Sequence, residues 1–376
     1  MIIYGLDGSS LLRTQPTGVE RYAANLLKAM MVTPFNPQDE KVIIYAPEPQ
    51  PQDLHLPTGW TWKKLGFWLP KGWTHLRLSL ELSLRPPTVF FNPAHEIPLF
   101  HRRAKIATTI HDLAFRRVPA AYSATNLRRQ EWAVKRAVNQ AQIIFAVSAA
   151  TKQDLIDFYH VPEDLVVVTH NAPADRPGPV TDTRDVMVKY GVTPGMYILF
   201  VGRLENKKNV VTLIRAFNEL RRRYGAGHPL KLVLAGGLGH GGDEVMQVAR
   251  SVESRADIVI PGYIPDRDFA GLVSQALCFA FPSWSEGFGM PVIEAMALGT
   301  PVIASDTPAL KEVCGDAAVL VPPEDVGKWA VAIDHLLTNQ TLRQQLHLKG
   351  LARATDFSWP ATAEATWAGL RAAARE

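Results

Sequence analysis

Phe281-Pro-Ser-Trp-Ser-Glu286-Gly-Phe-Gly-Met-Pro-Val-Ile-Glu294-Ala-Met-Ala-Leu-Gly-Thr-Pro301 reads as the end of a strand, a glycine turn, a helix and the entry to a second strand. The apolar run Leu277 to Phe281 precedes it, and Pro301 to Ala304 continues it. Gly287 and Gly289 permit a tight turn, Pro291 suits the first turn of a helix, and Gly299 suits its C-cap. Glu294 is expected in that first turn, where the helix dipole favours a carboxylate. Strand, short helix and strand in this order imply parallel pairing, and an open parallel sheet binds its ligands outside the carboxyl ends of its strands. The main-chain N–H groups of Gly287 to Met290 would then meet the polar oxygens of a ligand.

The same alternation extends over the chain. Met1 to Asp7, Lys41 to Ala46, Thr88 to Phe91, Lys105 to Ile110, Ile143 to Val147 and Val166 to Thr169 read as strands, as do Tyr197 to Val201, Lys231 to Ala235 and Ile258 to Ile260. Helical patterns lie between them at Gly18 to Met31, Leu127 to Asn139 and Val211 to Tyr224. The architecture is therefore α/β with parallel sheets. At 376 residues the chain is too long for one core. Asn171-Ala-Pro-Ala-Asp-Arg-Pro-Gly-Pro179 has the composition of an interdomain connection, so we expect domains at 1–178 and 179–357. A capped helix over 358–376, bearing Trp367 and Leu370, is expected to pack back on the first. No apolar run is long enough to span a bilayer, the amino terminus reads as a strand and not a signal peptide, and two cysteines make no disulfide framework or CxxC site. A cytoplasmic location is the expectation.

Lys and Arg number 40 against 36 Asp and Glu; residues 1 to 175 hold 19 and 15 of these, so the whole excess lies in the first half. A solvated mixed-charge face explains most of it, and an anionic partner is the alternative.

Several residues are candidates for chemistry. In Ile198-Leu-Phe-Val-Gly202-Arg203-Leu-Glu-Asn-Lys-Lys208-Asn209 a buried-type strand delivers Arg203 at its carboxyl end, and Lys208 precedes a helix. A guanidinium and an ammonium together suit a diphosphate whose charge grows as a bond to it breaks. Glu286 and Glu294 stand eight apart. Eight helical residues span about 12 Å, whereas glycosidase carboxylates work at roughly 5 to 10 Å, so two grips on a long ligand suit them better than an acid/base dyad. Gly236-Gly-Leu-Gly-His-Gly-Gly242 is either a flexible turn or a wall for a nucleotide. It fails as a dinucleotide fingerprint, because no acidic residue ends the next strand. Gly18, in the loop from Thr14 to Tyr22, admits close approach of a ligand or is a plain strand-to-helix turn. His111 ends a strand where it can bond a hydroxyl, with Asp112 a cap beside it. Ser148 reads as an N-cap. Trp60, Trp62, Trp68 and Trp73, interleaved with lysines, suit a surface hairpin, an acceptor-binding wall or a bilayer interface.

Taken together, Val201-Gly-Arg203 with Lys208-Asn209, Pro261-Gly-Tyr-Ile-Pro-Asp266, Ser285-Glu286-Gly-Phe-Gly-Met-Pro-Val-Ile-Glu294-Ala, Gly299-Thr-Pro-Val-Ile-Ala-Ser305 and Glu312-Val-Cys-Gly-Asp316 resemble the donor domain of family-4 retaining glycosyltransferases. Thr109-Ile-His111-Asp112-Leu and Val147-Ser148-Ala-Ala-Thr-Lys-Gln-Asp-Leu resemble their acceptor domain, in the mannosyltransferase B-like branch that extends bacterial polysaccharides. The resemblance implies a GT-B fold, two Rossmann-like doubly wound domains facing a central cleft. It implies a nucleoside diphosphate sugar as donor and no metal required; the acceptor is expected to be a saccharide or lipid-linked saccharide, with no nucleic acid partner, and peripheral contact with the inner membrane surface is an expectation from the tryptophans and lysines of 60–73.

By the same carry-over Glu286 contacts the transferred sugar and the amides of Phe288, Gly289 and Met290 its hydroxyls. Glu294 grips the ribose, Arg203 and Lys208 the diphosphate, and Tyr263 belongs to the donor site. His111 sits at the reacting centre, and Gly18 near the phosphates. Two features depart from the family pattern: a single Gly18 replaces a longer glycine loop, and the stretch from Trp60 to Trp73 is no part of it. The rival readings are a GT-B epimerase or phosphorylase, and a non-catalytic saccharide or membrane-surface binding protein.

Overall fold

In the computed structural model, which describes residues 1–13, 16–68, 72–94, 96–174, 182–225 and 227–375, the β-branched runs pair into two all-parallel sheets. The first contains β1 (Ile2–Asp7), β2 (Glu40–Ala46), β3 (Trp60–Lys64), β4 (Val89–Asn92), β5 (Lys105–Ile110), β6 (Ala141–Ala146) and β7 (Val166–Val168), in the order 3-2-1-4-5-6-7. The second contains β8 (Tyr197–Val201), β9 (Lys231–Ala235), β10 (Ile258–Gly262), β11 (Cys278–Phe281), β12 (Val302–Ser305) and β13 (Ala318–Val321), in the order 10-9-8-11-12-13. Both are the doubly wound order in which the strand sequence reverses beside the first strand, a switch point where ligands bind. Central strands are buried on both faces, which is why they read as continuous apolar runs without alternation.

One unit comprises Met1–Leu113, Arg128–Ala174 and Ser358–Glu376, and the other Ala114–Leu127 and Asp175–Phe357. The expected boundary between 178 and 179 lies outside the described residues. Ala114–Leu127, which the sequence places in the first domain, groups with the second unit. The turn Pro119–Ala121 lines a pocket there of about 690 Å³ with Val210, Val211 and Trp284.

Within the first unit the terminal helix Trp359–Arg375 is fastened by polar and aromatic contacts. Trp359 Nε1 donates to the Pro173 carbonyl at 2.8 Å, and Thr362 Oγ1 to that of His170 at 2.6 Å. Trp367 is fully buried among Tyr4, Phe35 and Trp60, its ring edge-on to Tyr4 at 5.2 Å. Arg371 grips both carboxylate oxygens of Glu40 at 2.9 and 3.1 Å, and the Tyr4 hydroxyl donates to the same group at 3.2 Å. Burial works against the Glu40 charge, but these bonds hold its carboxyl below the usual range.

The tryptophan stretch is not a hairpin. Trp60 to Lys64 form the parallel edge strand β3, paired with β2 from Val42↔Trp60 to Ala46↔Lys64. Trp60 is buried, Trp62 Nε1 donates to the Glu48 carbonyl at 3.0 Å, and Trp73 Nε1 to that of Leu65 at 2.8 Å. Lys63 pairs with Glu81 at 2.5 Å. Residues 69–71 of that stretch lie outside the described residues.

Candidate functional site

The order reversal of the second sheet falls between β8 and β11, and the loops leaving these two strands carry the charged motifs. After β8 the chain turns through Gly202 and Arg203 into a 3-10 turn, Asn206–Lys208, and then the helix Val210–Tyr224. After β11 it runs through Pro282 to Glu286 and enters the helix Met290–Ala297. Lys208 Nζ lies 2.6 Å from Glu286 Oε1, with the two side chains 15% and 8% exposed. The same ammonium sits 4.9 Å above the Phe281 ring. Burial penalises the Glu286 charge, yet the field of Lys208, helped by Lys207 and the hydrogen bond, holds its carboxyl below the usual carboxylate range. The resemblance assigns Lys208 to the diphosphate and Glu286 to the transferred sugar; in the structure the two side chains are each other's counter-ion.

Asn209, which sequence reading notes only as a neighbour of Lys208, fixes this arrangement. It is buried in the left-handed region at φ 52°, where asparagine is among the few tolerated side chains. Its amide nitrogen donates to the Pro282 carbonyl at 3.1 Å and the Pro323 carbonyl at 2.6 Å, and its oxygen accepts from Thr212 Oγ1 at 2.8 Å. One side chain thus ends the turn that bears Lys208 and holds the loop that bears Glu286. The Trp284 N–H adds a 3.0 Å bond to the Lys207 carbonyl between the same loops.

The glycine cluster is not a loose turn. Leu204 N–H donates to Gly237 O and Gly239 N–H to Leu204 O, both at 2.9 Å, and Asn206 N–H donates to His240 O at 2.9 Å. The loop from Gly236 to Gly242 is therefore laced to the loop bearing Arg203. Gly236, at φ 141°, leaves no room for a Cβ, which would lie 1.9 Å from the Gly202 carbonyl oxygen. Arg203 itself projects outward, its side chain 65% exposed and 4.0 Å from Glu205.

Gly289 is the N-cap of Met290–Ala297 at φ 96°, and a Cβ there would meet the Leu310 side chain at 2.6 Å. Because the helix starts at Met290, Glu294 is its fifth residue and lies past the first turn, a correction to the expected position; it is buried. The C-cap is Leu298, with Gly299 one residue beyond, its N–H bonded to Met296 O at 2.9 Å. Phe288 is buried with its ring edge-on to Phe357 at 5.3 Å. Tyr263 follows β10 and is half exposed.

In the first unit the reversal lies between β1 and β4, where Asn92 Nδ2 donates to Asp7 Oδ2 at 3.3 Å. Full burial raises the Asp7 carboxyl above its usual range, against the bonds from Ser9. His111 follows β5; its Nε2 donates to the Pro93 carbonyl at 2.8 Å, and its ring stands edge-on to Tyr22 at 4.7 Å. Gly18 opens the helix Gly18–Val32 behind a capping box formed by Thr17 and Glu20, and nothing lies within 4 Å of where its Cβ would be. Thr14 and Gln15 of that loop lie outside the described residues. Ser148 is an N-cap, accepting from Thr151 N at 3.0 Å. Both cysteines are buried, which pushes their thiols up to about 12. No cluster of three His, Cys, Asp or Glu side chains that would hold a metal forms among the described residues.

Residues 188–352 match the family described as glycosyl transferases group 1, and residues 16–172 match glycosyltransferase family 4. O-antigen chain mannosyltransferase B of Escherichia coli is 31% identical over 277 residues, 72% of this chain and 71% of the relative. A D-inositol 3-phosphate glycosyltransferase of Nocardia farcinica is 32% identical over 239 residues, 61% of this chain and 52% of the relative. The matched region of the serotype-specific mannosyltransferase WbdA of Escherichia coli is only 28% of that longer protein. Sucrose-phosphate synthase from Thermosynechococcus elongatus superposes with a TM-score of 0.75 at 18% identity, covering 99% of both chains. HepE of Anabaena, solved with UDP-glucose, gives 0.74 at 19% identity, covering 99% of this chain and 100% of that one. Two parallel-sheet α/β domains, charged motifs at a switch point and these relatives lead to one conclusion: the chain is a family-4 glycosyltransferase of the GT-B fold.

Proposed function

We propose that the protein transfers a hexose, with mannose the first candidate, from a nucleoside diphosphate sugar to a hydroxyl of a saccharide or lipid-linked saccharide, with retention at the anomeric carbon. The reaction would serve bacterial polysaccharide or glycoconjugate synthesis. The observation that carries the reading is the Lys208–Glu286 pair at the β8/β11 switch point, with Arg203 leaving the same strand end. In this proposal the diphosphate takes Lys208 as its counter-ion, together with Arg203, and the positive charge stabilises the leaving group as the glycosidic bond breaks. Glu286, released from Lys208 and ionised, accepts hydrogen bonds from the hydroxyls of the transferred sugar. The main-chain amides of Phe288, Gly289 and Met290 donate to the same sugar, Glu294 accepts from the ribose, and Tyr263 borders the donor. His111, which follows β5, would sit beside the sugar at the reacting centre, and Gly18 near the phosphates. A departing phosphate oxygen takes the acceptor proton, and Arg203 and Lys208 stand in for a metal at the leaving diphosphate. Mannosyltransferase B supports mannose as the sugar.

The experiment is an NMR determination of the anomeric configuration of the product made from an α-linked sugar nucleotide. An α-linked product is expected. A β-linked product would overturn retention, and nucleotide release without any glycoside would favour hydrolysis or epimerisation over transfer.

A further inference from the structure

The second unit holds a cavity that the donor groups do not line. It is the pocket of about 690 Å³ beside the turn Pro119–Ala121; every residue on its walls belongs to that unit, and none of Arg203, Lys208, Glu286 and Glu294 is among them. Its size is that of a small-ligand site, about 300–1,000 Å³. Three helix starts converge on it. Val210 and Val211 open Val210–Tyr224, Glu244 lies in the first turn of Gly242–Ser251, and Glu324 and Val326 flank the start of Val326–Thr338. The walls are held before a ligand arrives, because Leu204 and Asn206 are laced to the glycine loop and Asn209 bonds the Pro282 and Pro323 carbonyls.

The groups on these walls select the ligand. Trp284 brings a half-buried indole whose N–H has no partner among the described residues. The side chains of Asn206, Arg215, Glu244 and Glu324 likewise make no hydrogen bond or ion pair among the described residues, and Glu205 has only Arg203, at 4.0 Å. Three carboxylates, of Glu205, Glu244 and Glu324, face two guanidiniums, of Arg117 and Arg215. A phosphate or carboxylate ligand therefore meets a net negative wall. A metal ion finds no seat, since no three His, Cys, Asp or Glu side chains among the described residues converge to hold one. Between the charges the lining is apolar, at Val210, Val211, Val245 and Val326. Charged and amide groups of both hydrogen-bonding senses, an indole and an apolar floor fit a neutral ligand that carries many hydroxyls around apolar ring faces, which is the chemistry of a saccharide.

We infer that this pocket is a second saccharide site, which binds an oligosaccharide segment apart from the hydroxyl that receives the sugar. Trp284 carries a ring face, and Glu244, Glu324 and Arg215 bond its hydroxyls. The inference rests on the saccharide-acceptor reading proposed above for its use and goes beyond it in placing a further site on the donor-side unit. The pocket adjoins the reacting groups through the chain itself: Trp284 stands two residues before Glu286, and Asn206 and Asn209 flank Lys208. A growing chain held here and at its reacting end gains affinity that a single sugar lacks.

The test is titration of the full chain with α-linked manno-, rhamno- and gluco-tetraose and with the corresponding methyl glycosides, followed by calorimetry and saturation-transfer NMR. Wild type is compared with Glu244→Ala/Glu324→Ala and with Trp284→Leu, which keeps the main-chain bond to Lys207. At least one tetraose should bind wild type about tenfold or more tightly than its methyl glycoside, and neither GDP nor UDP should displace it. Each variant should lose about tenfold or more of that affinity. Glu244→Ala/Glu324→Ala should keep its thermal transition and its binding of GDP or UDP, so a loss of folding in Trp284→Leu does not decide the matter. Absence of binding by all three tetraoses, a methyl glycoside that binds as tightly, displacement by a nucleotide, or Glu244→Ala/Glu324→Ala binding like wild type overturns the inference. A chain that transfers sugar while no tetraose binds sinks this site and leaves the transfer reading standing; one that binds a tetraose through these residues yet transfers no sugar does the reverse.

Discussion

Replacing Lys208 by methionine keeps the length of the side chain and removes its charge, leaving the Glu286 carboxylate 8% exposed without its 2.6 Å partner. Removing one member of a buried pair costs about 3–5 kcal/mol, since the remaining charge keeps its desolvation penalty and loses its compensation. In a unit of this size 1 kcal/mol moves the melting temperature by roughly 2–4 °C, so a drop of roughly 6–20 °C is expected for the second unit. Lys208→Met/Glu286→Gln removes both charges and should recover much of that loss, giving a favourable coupling. The pH dependence carries the sign. In wild type the Glu286 pKa is depressed, so its stabilisation is present above the ordinary Glu range and is lost as pH falls through the folded value. Without Lys208 the desolvation that is its largest influence dominates. The pKa then rises, and the variant recovers relative to wild type as pH falls. Calorimetric melts of the three proteins between neutral and mildly acidic pH make the test. A single variant within about 1 kcal/mol of wild type, or a double variant no more stable than the single, would refute the buried-pair reasoning.

Further outcomes follow from other contacts. Asn209→Ala loses three side-chain bonds at a positive φ, so about 3 kcal/mol of stability should go with it, measured by denaturant unfolding. Asn209→Gly keeps the backbone freedom and loses only the bonds, and should therefore unfold later than the alanine variant. Gly236→Ala forces apart the Gly202 and Gly236 loops; a fall in nucleoside diphosphate affinity without loss of secondary structure is expected in titration calorimetry. Trp367→Ala should lower the stability of the first unit by about 3–5 kcal/mol, and near-UV circular dichroism should show its melt shifting alone. Burial opposes the Glu40 charge, but the Arg371 bonds leave its pKa below the usual value, so its hold on the terminal helix is full above the ordinary Glu range and is lost as pH falls through the lowered value. Hydrogen exchange over Trp359–Arg375 should speed up there and not above it.

Much of this architecture is legible in the residues, for identifiable reasons. Buried parallel strands such as Tyr197–Val201 and Lys231–Ala235 appear as short apolar runs between glycines and helical patterns, and they fall where the pattern places them. Two strands do not show themselves. β3 (Trp60–Lys64) mixes tryptophans and lysines because an edge strand buries only part of itself, and β13 (Ala318–Val321) is likewise a short edge strand of which only Val321 is buried. At the site, Arg203, Lys208, Glu286 and Glu294 stand out by residue type and by their place at strand ends. Their mutual contact does not, since the Lys208–Glu286 bond joins positions 78 apart. Asn209 was visible only as an asparagine beside a lysine. Its role comes from a left-handed φ and from carbonyls at positions 282 and 323, which no local pattern encodes. The grouping of Ala114–Leu127 with the second unit is likewise a matter of packing and not of composition.

The central claim is that the β8/β11 switch point receives a nucleoside diphosphate through Arg203 and Lys208, with Glu294 on the ribose. Titration calorimetry of GDP, UDP, dTDP and ADP against wild type, Arg203→Ala and Glu294→Gln tests it most directly. At least one nucleotide should bind wild type, and each variant should weaken it by about tenfold or more, the worth of one charge-assisted hydrogen bond. Unchanged affinity in both variants, or no binding of any of the four, would contradict it.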